Sequence, residues 1–271
     1  DQGADGLAVF GTTSEANSLG LEERMNLLDY LIESGISPDV LMPGTGTTAL
    51  TDTVKLTTHA VTRGCSGVLM LPPFYYKAVD DNGLFESFSE IIQRVGDAAL
   101  RVYLYHIPPV AQVSLSLNLI ERLLKSYSGT VVGLKDSSGD WTNTSAVLEE
   151  FPSLATFCGS EVFLLDTLQK GGAGSITATA NVNVGNIRNV YENWQEDTAK
   201  ELQKGINRVR KAFENYPAIP ALKAIISAYW EHPNWKTVRP PLESLSAEDT
   251  QRLSDTLKQL DFEIQTDDIR T

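Results

Sequence analysis

The chain has 271 residues, 42% of them hydrophobic, and its 22 Lys and Arg against 35 Asp and Glu leave a net charge of −13. That length and apolar content suit one large α/β domain, and an acidic balance without a basic block argues against nucleic acid and anionic membrane surfaces as partners. Cys65 and Cys158 read as free, buried thiols of a reducing, cytoplasmic compartment, three histidines without CxxC or HExxH leave a metal little to bind, and no apolar run approaches the ~18 residues of a membrane span.

The chain opens DQGADGLAVFGTT, without methionine, basic residues or a long apolar core, and enters a strand almost at once. A signal peptide is therefore not expected, and the start of the protein reads as missing. Strand-like apolar runs follow at 5–10, 39–43, 67–71, 101–106, 130–135, 155–159 and 174–177. Between them, apolar residues recur at three- and four-residue spacing, as in Leu27, Leu28, Leu31 and Ile32, or Phe85, Phe88, Ile91, Ile92 and Val95. Each such segment is one face of a helix. The strands end near residues 10, 43, 71, 105, 135, 159 and 177, and repeated βα units of this length imply parallel strands with right-handed crossovers. A (β/α)8 TIM barrel is the first choice of fold. An open doubly wound sheet is the second, weakened because the first strand carries no GxGxxG.

From about 186 onward the pattern is helical throughout, with amphipathic stretches at 198–214, 219–230 and 246–260, the last capped by Ser246. The expected organisation is a barrel over 1–185 that lacks its first βα unit, C-terminal helices packed on it over 186–262, and a polar tail over 263–271.

The chain is organised around TVVGLKDSSGD at 130–140. Val131, Val132 and Leu134 form a short apolar run without alternation, the pattern of a strand buried on both faces, and Lys135 closes it. A charge at the end of such a strand needs a role or a partner. Desolvation disfavours an ammonium, and a neutral amine can form a Schiff base with a carbonyl. The plainer alternative is a surface lysine paired with Asp136. In a barrel the chemistry sits at the C-terminal strand ends, and those ends carry several candidates. Gly11-Thr12-Thr13-Ser14-Glu15 could hold a carboxylate through hydroxyls and N–H groups, or could simply cap a helix. The aromatics of Pro72–Lys77 could be packing. Tyr105 ends the strand one βα unit before Lys135, where a proton-transferring phenol would be needed. Gly159 and Gly174 would let backbone approach a ligand closely.

Five pieces occur in order: GTTSEANSLGLEER (11–24), PPFYYK (72–77), YHIP (105–108), GLKDSSGD (133–140) and GGAGSITATANV (171–182). Together they resemble the dihydrodipicolinate synthase / N-acetylneuraminate lyase family of class I aldolases over nearly the whole chain. The resemblance implies a (β/α)8 barrel with a helical extension, a homotetramer built as a dimer of dimers, and no cofactor. It implies that Lys135 forms the Schiff base with pyruvate or another small 2-oxo acid and that Tyr105 shuttles protons. Thr13 would hold the carboxylate. Thr12 would link Tyr105 to Tyr75 of a neighbouring subunit, and Gly159 and Ile176 would line the pocket through their backbones. Glu15 and Asp136 match motif positions but read as structural groups that fix turns.

Departures narrow the expected substrate. Where true dihydrodipicolinate synthases carry an arginine for the second substrate's carboxylate, this chain has Val110, so a charge-assisted pairing of ~1.5–3 kcal/mol is missing. Ser14 replaces a usual glycine. His106 replaces a usual asparagine and is expected at the pocket as a hydrogen-bonding group. A lyase or aldolase acting on a keto-deoxy sugar acid or related hydroxy-oxo acid is therefore the expected function. Condensation of pyruvate with aspartate semialdehyde is the alternative within the family, and a non-catalytic ligand-binding barrel is the alternative outside it.

Overall fold

The structure is a computed structural model that describes residues 3–264. Helix α1 spans Leu21–Glu33, α2 Leu50–Thr62, α3 Asp81–Val95, α4 Pro108–Ala111, α5 Leu117–Ser126, α6 Trp141–Glu150 and α7 Leu164–Gln169. Strands β1 (Val68–Met70), β2 (Val102–His106), β3 (Val131–Asp136), β4 (Ala155–Cys158) and β5 (Gly174–Ser175) alternate with them. Helices start where short polar side chains can accept from their orphan N–H groups. Asp80 accepts from Gly83, Ser116 from Leu119, Asp140 from Thr142 and Ser246 from Asp249.

The five strands are all parallel and lie side by side in chain order, from β1 to β5. A doubly wound sheet reverses its strand order at a switch point, and this sheet does not. It is the wall of a (β/α)8 barrel. The expected strands at 5–10 and 39–43 are present only as single parallel bridges, Leu7 with Leu41 and Gly44 with Leu69. They do continue the wall through Leu7 N–H to the Val40 carbonyl (2.7 Å) and Gly44 N–H to the Val9 carbonyl (2.7 Å). Proline explains the shortfall. Pro38 starts a 3-10 turn over Pro38–Val40, Pro43 has no N–H to donate, and Phe10 turns into the left-handed region at φ 57°.

Two apolar layers flank the wall. Met70, Leu104 and Leu134 face outward and pack with Leu84, Phe88, Leu119, Ile120 and Leu123 of the surrounding helices. Leu69, Tyr103 and Tyr105 face inward, with Met42 and Leu71 beside them. Alternation along each strand therefore decides which side chains can reach the barrel mouth.

The C-terminal helices are α8 (Ala180–Glu192), α9 (Ala199–Phe213), α10 (Ala218–Tyr229) and α11 (Ala247–Gln259). Helix α8 begins six residues earlier than the sequence pattern suggests, and its backbone leaves helical geometry at Asn183. Val182 belongs to the same buried cluster as Val209, Leu222, Ile225, Leu253 and Leu257, whereas Ile187 packs with Leu164 and Leu168 under β4. The extension is thus joined to the barrel by shared cores. Ile264 is also buried in the first of these clusters, so packing continues past 262. The rest of the expected polar tail, 265–271, lies outside the described residues. Among the described residues no helix is long and apolar enough to cross a membrane.

Candidate active site

Strands β2 and β3 pair with Tyr105 opposite Lys135, which puts both side chains on the inner face. Lys135 is half-buried, and its Nζ donates to the Tyr105 hydroxyl at 3.4 Å while lying 4.4 Å from the centre of that ring. Tyr105 itself is only 3% exposed. Its hydroxyl is 3.2 Å from Thr12 Oγ1, at the turn that follows the first stave. Beside these groups lies a cavity of about 10 Å³, lined among others by Phe10, Gly11, Thr12, Gly44 and Tyr105, enough for about one water. One phenol oxygen therefore sits between an amine and a hydroxyl. Such a set can let an amine attack a carbonyl and pass protons beside it.

Asp136 points the other way, toward α6. Its Oδ1 accepts from the Ser138 N–H (2.8 Å), and its Oδ2 accepts from Asn143 Nδ2 (2.9 Å) and the Thr144 hydroxyl (2.7 Å). The carboxylate is buried and fully engaged. A Lys135–Asp136 surface pair is therefore not what holds the lysine.

His106 corrects the expectation that it lines the pocket. It follows Tyr105 in the strand, so its ring lies on the outer face, where it is buried and its Nδ1 accepts from the Leu115 N–H at 3.0 Å. That bond leaves the ring proton on Nε2. Burial pushes its pKa down from the usual histidine value, and the nearby Asp136 carboxylate opposes this only in part.

Gly159 and Ile176 do stand at the ends of β4 and β5, but their N–H groups are already used. Gly159 donates to the Asp136 carbonyl at 2.6 Å and Ile176 to the Cys158 carbonyl at 3.0 Å. A Cβ at Gly159 would lie 2.0 Å from Ser137 Oγ, so the glycine is needed for the close approach of two strand ends. Thr13 follows Thr12 in the turn and is half-buried. Tyr75 and Val110 are not gathered with the others. Tyr75 is 73% exposed and meets Tyr76 edge-on at 5.4 Å, with no bond to Thr12 in this chain. Val110 is 58% exposed on α4.

Three charged side chains that shape the mouth carried no sequence signal as site residues. Lys77 donates to the carbonyls of Phe74 and Ala111, joining the aromatic loop to α4. Arg24 is buried and donates to the Gly44 carbonyl, and its burial lowers the guanidinium's pKa. Lys223 of α10 reaches Glu15. The partners are distant in sequence, and only the fold brings them together. Among the described residues no three His, Cys, Asp or Glu side chains gather as a metal-binding group.

Residues 1–260 match the model of the dihydrodipicolinate synthetase family. An uncharacterized DapA-like lyase of Chloroflexus aurantiacus is 34% identical over 254 residues, which are 93% of this chain and 84% of that protein. The crystal structure of dihydrodipicolinate synthase from Agrobacterium tumefaciens superposes with a TM-score of 0.89 at 32% identity, covering 96% of this chain and 88% of the other. YagE, a prophage protein of the dihydrodipicolinic acid synthase family from E. coli K12 solved in complex with pyruvate, superposes with a TM-score of 0.85 at 25% identity, covering 96% and 88%.

Proposed function

The chain belongs to the dihydrodipicolinate synthetase family, whose members are lyases and aldolases of the class I type, and from that premise we propose that Lys135 captures a pyruvate-type 2-oxo acid as a Schiff base and that the enzyme cleaves or forms the adjoining C–C bond. The observation that carries this is the Lys135 amine 3.4 Å from a phenol that is itself 3.2 Å from Thr12. The amine adds to the C2 carbonyl of the keto acid, and loss of water leaves an iminium. The iminium draws the electron pair of the C3–C4 bond toward nitrogen, so C3 stays on the enzyme as an enamine and C4 leaves as the carbonyl carbon of the aldehyde. Tyr105 takes the proton of the C4 hydroxyl as the aldehyde leaves. It returns a proton to C3, and water then releases pyruvate. Thr12 holds the phenol's orientation, and Thr13 with the turn's N–H groups receives the carboxylate.

The preferred substrate is a keto-deoxy sugar acid or a related hydroxy-oxo acid. An uncharged, solvent-facing Val110 suits a polyhydroxylated chain better than a second carboxylate. Condensation with aspartate semialdehyde is the second reading, and the Lys77 ammonium beside Ala111 is the observation that favours it. A coupled assay with pyruvate and aspartate semialdehyde, run against a panel of keto-deoxy sugar acids, separates the two. Exposed Tyr75 suits a homotetramer in which it completes a neighbour's relay, and two free cysteines suit the cytoplasm.

Borohydride reduction in the presence of pyruvate tests the Schiff base. The native protein gains the mass of one reduced pyruvate adduct on Lys135, and Lys135→Ala gains none. An unchanged native mass would sink the mechanism. Pyruvate binding without an adduct would mark a non-catalytic binding barrel instead.

A further inference from the structure

The turn that carries Thr12 is not held by the barrel alone. Its backbone closes on itself, with Glu15 N–H to the Thr12 carbonyl (3.1 Å) and Ala16 N–H to the Gly11 carbonyl (3.3 Å). Glu15 sits there in the left-handed region at φ 56°, a conformation a non-glycine side chain adopts at a cost and keeps only when tertiary contacts hold it. Those contacts come from the C-terminal extension. Glu15 Oε2 pairs with Lys223 Nζ at 2.5 Å, and Oε1 accepts from the Arg239 N–H at 3.3 Å. Arg239 also donates to the Ser18 carbonyl and grips Glu23 with both terminal nitrogens, at 2.9 and 2.7 Å.

The two ion pairs differ in kind. Arg239 and Glu23 are about half exposed, where water and salt screen the attraction. Glu15 and Lys223 are 15% and 22% exposed, so their pairing is much less screened. Lys223 also stands on a firm base. Helix α10 buries Leu222, Ile225 and Ile226 in one cluster with Val209 of α9 and Leu253 and Leu257 of α11. A side chain anchored on a packed helix positions its partner more tightly than a loop residue would.

We propose that Lys223 is a positioning residue of the active site: through Glu15 it holds the turn of residues 11–16 in the form that keeps Thr12 against Tyr105 and Thr13 ready for the substrate carboxylate. A continuous path then runs from α10 through Lys223, Glu15 and Thr12 to Tyr105 and Lys135, and the helical extension is part of the site it borders. This inference rests on the Schiff-base reading for what the turn binds, but not for whether the turn is clamped.

Two readouts separate these. The first is borohydride trapping as a function of pyruvate concentration. The second is amide hydrogen exchange over residues 11–19. In Lys223→Met the half-saturating pyruvate concentration rises about tenfold while the ceiling rate of trapping falls less than about threefold. Exchange at 11–19 quickens by about tenfold or more, with α10 and the strands unchanged. Lys223→Arg restores both, and the isosteric Glu15→Gln reproduces the Met phenotype should Lys223→Met fold poorly. Lys204→Met, which removes an exposed partner of Glu201, alters neither readout. Unchanged exchange at 11–19 in folded Lys223→Met and Glu15→Gln proteins overturns the clamp. Faster exchange throughout the molecule overturns it too, since that is general destabilisation. If the native protein is never trapped by borohydride, the Schiff-base reading fails and exchange alone decides the clamp.

Discussion

Tyr105 is the residue on which the proposed mechanism turns, because its hydroxyl meets both Lys135 and Thr12. Removing that oxygen leaves the amine in place. Tyr105→Phe therefore keeps its borohydride-trapped adduct, yet turnover of a cleavable keto-deoxy sugar acid falls by about 10²-fold or more, as for loss of a positioned proton donor. Steady-state pyruvate release measures the difference. A variant that loses trapping as severely as turnover would mean that the phenol assembles the site and does not relay protons. Its neighbour His106 makes a different prediction. Burial lowers its pKa in the folded chain, so as pH falls through about 6.5 the unfolded chain takes up the proton first. Stability from this group is full above that value and is lost below it. The urea midpoint of the native protein drops between pH 7.5 and 5.5 more steeply than that of His106→Gln. Equal slopes would show that another group titrates.

At the scale of elements, β3 depends on glycine where the barrel interior is crowded. A Cβ on Gly133 would stand 2.2 Å from Tyr103 Cδ1 and 2.8 Å from the Ala155 carbonyl oxygen. A ring can turn aside, but a backbone carbonyl in the β3–β4 ladder cannot move without loosening the strand pair. Overpacking of this kind costs about 1–3 kcal/mol, so Gly133→Ala lowers the Tm by roughly 2–10 °C for a domain of this size. Thermal unfolding measures it, and a Tm within a degree of native would show that the wall yields freely. The helices were the elements best legible in the sequence. Leu119, Ile120 and Leu123 announce α5, and Ser246 marks where α11 begins. The first two staves are shorter than their apolar runs suggest, because Pro38 starts a turn, Pro43 has no N–H to donate and Phe10 leaves the extended region, and apolar content alone does not register these breaks. Short α4 has no periodic signal, since four residues make barely one turn.

For the whole molecule, the exposed Tyr75 and the distant Lys223 make the same point in two ways. On the proposed reading, a site built on one wall of the barrel draws on groups supplied from elsewhere. If Tyr75 completes a neighbour's relay, two separately impaired variants carry their defects in different sites of a mixed oligomer. Mixing Tyr75→Phe with Lys135→Ala under conditions that exchange subunits restores about a quarter of native turnover or less, from sites that combine an intact Lys135 with a neighbour's intact Tyr75. No recovery, with mass measurements confirming exchange, would mean that Tyr75 serves only its own chain.

The sequence by itself determined the parallel βα order, the amphipathic extension, and the placing of Tyr105 and Lys135 at successive strand ends, because periodicity, capping and turn chemistry are local and these motifs recur as a set. It also placed Thr12 near the phenol by resemblance. Only the tertiary structure decided which face each strand residue takes. Tyr105 turns inward and His106 outward because adjacent strand residues alternate, and the registry of β2 on β3 chooses which of them meets the amine. Only the tertiary structure could bring Lys223 to Glu15, 208 residues away. A contact that distant is settled by how the helices pack, and the residues near either partner say nothing of it.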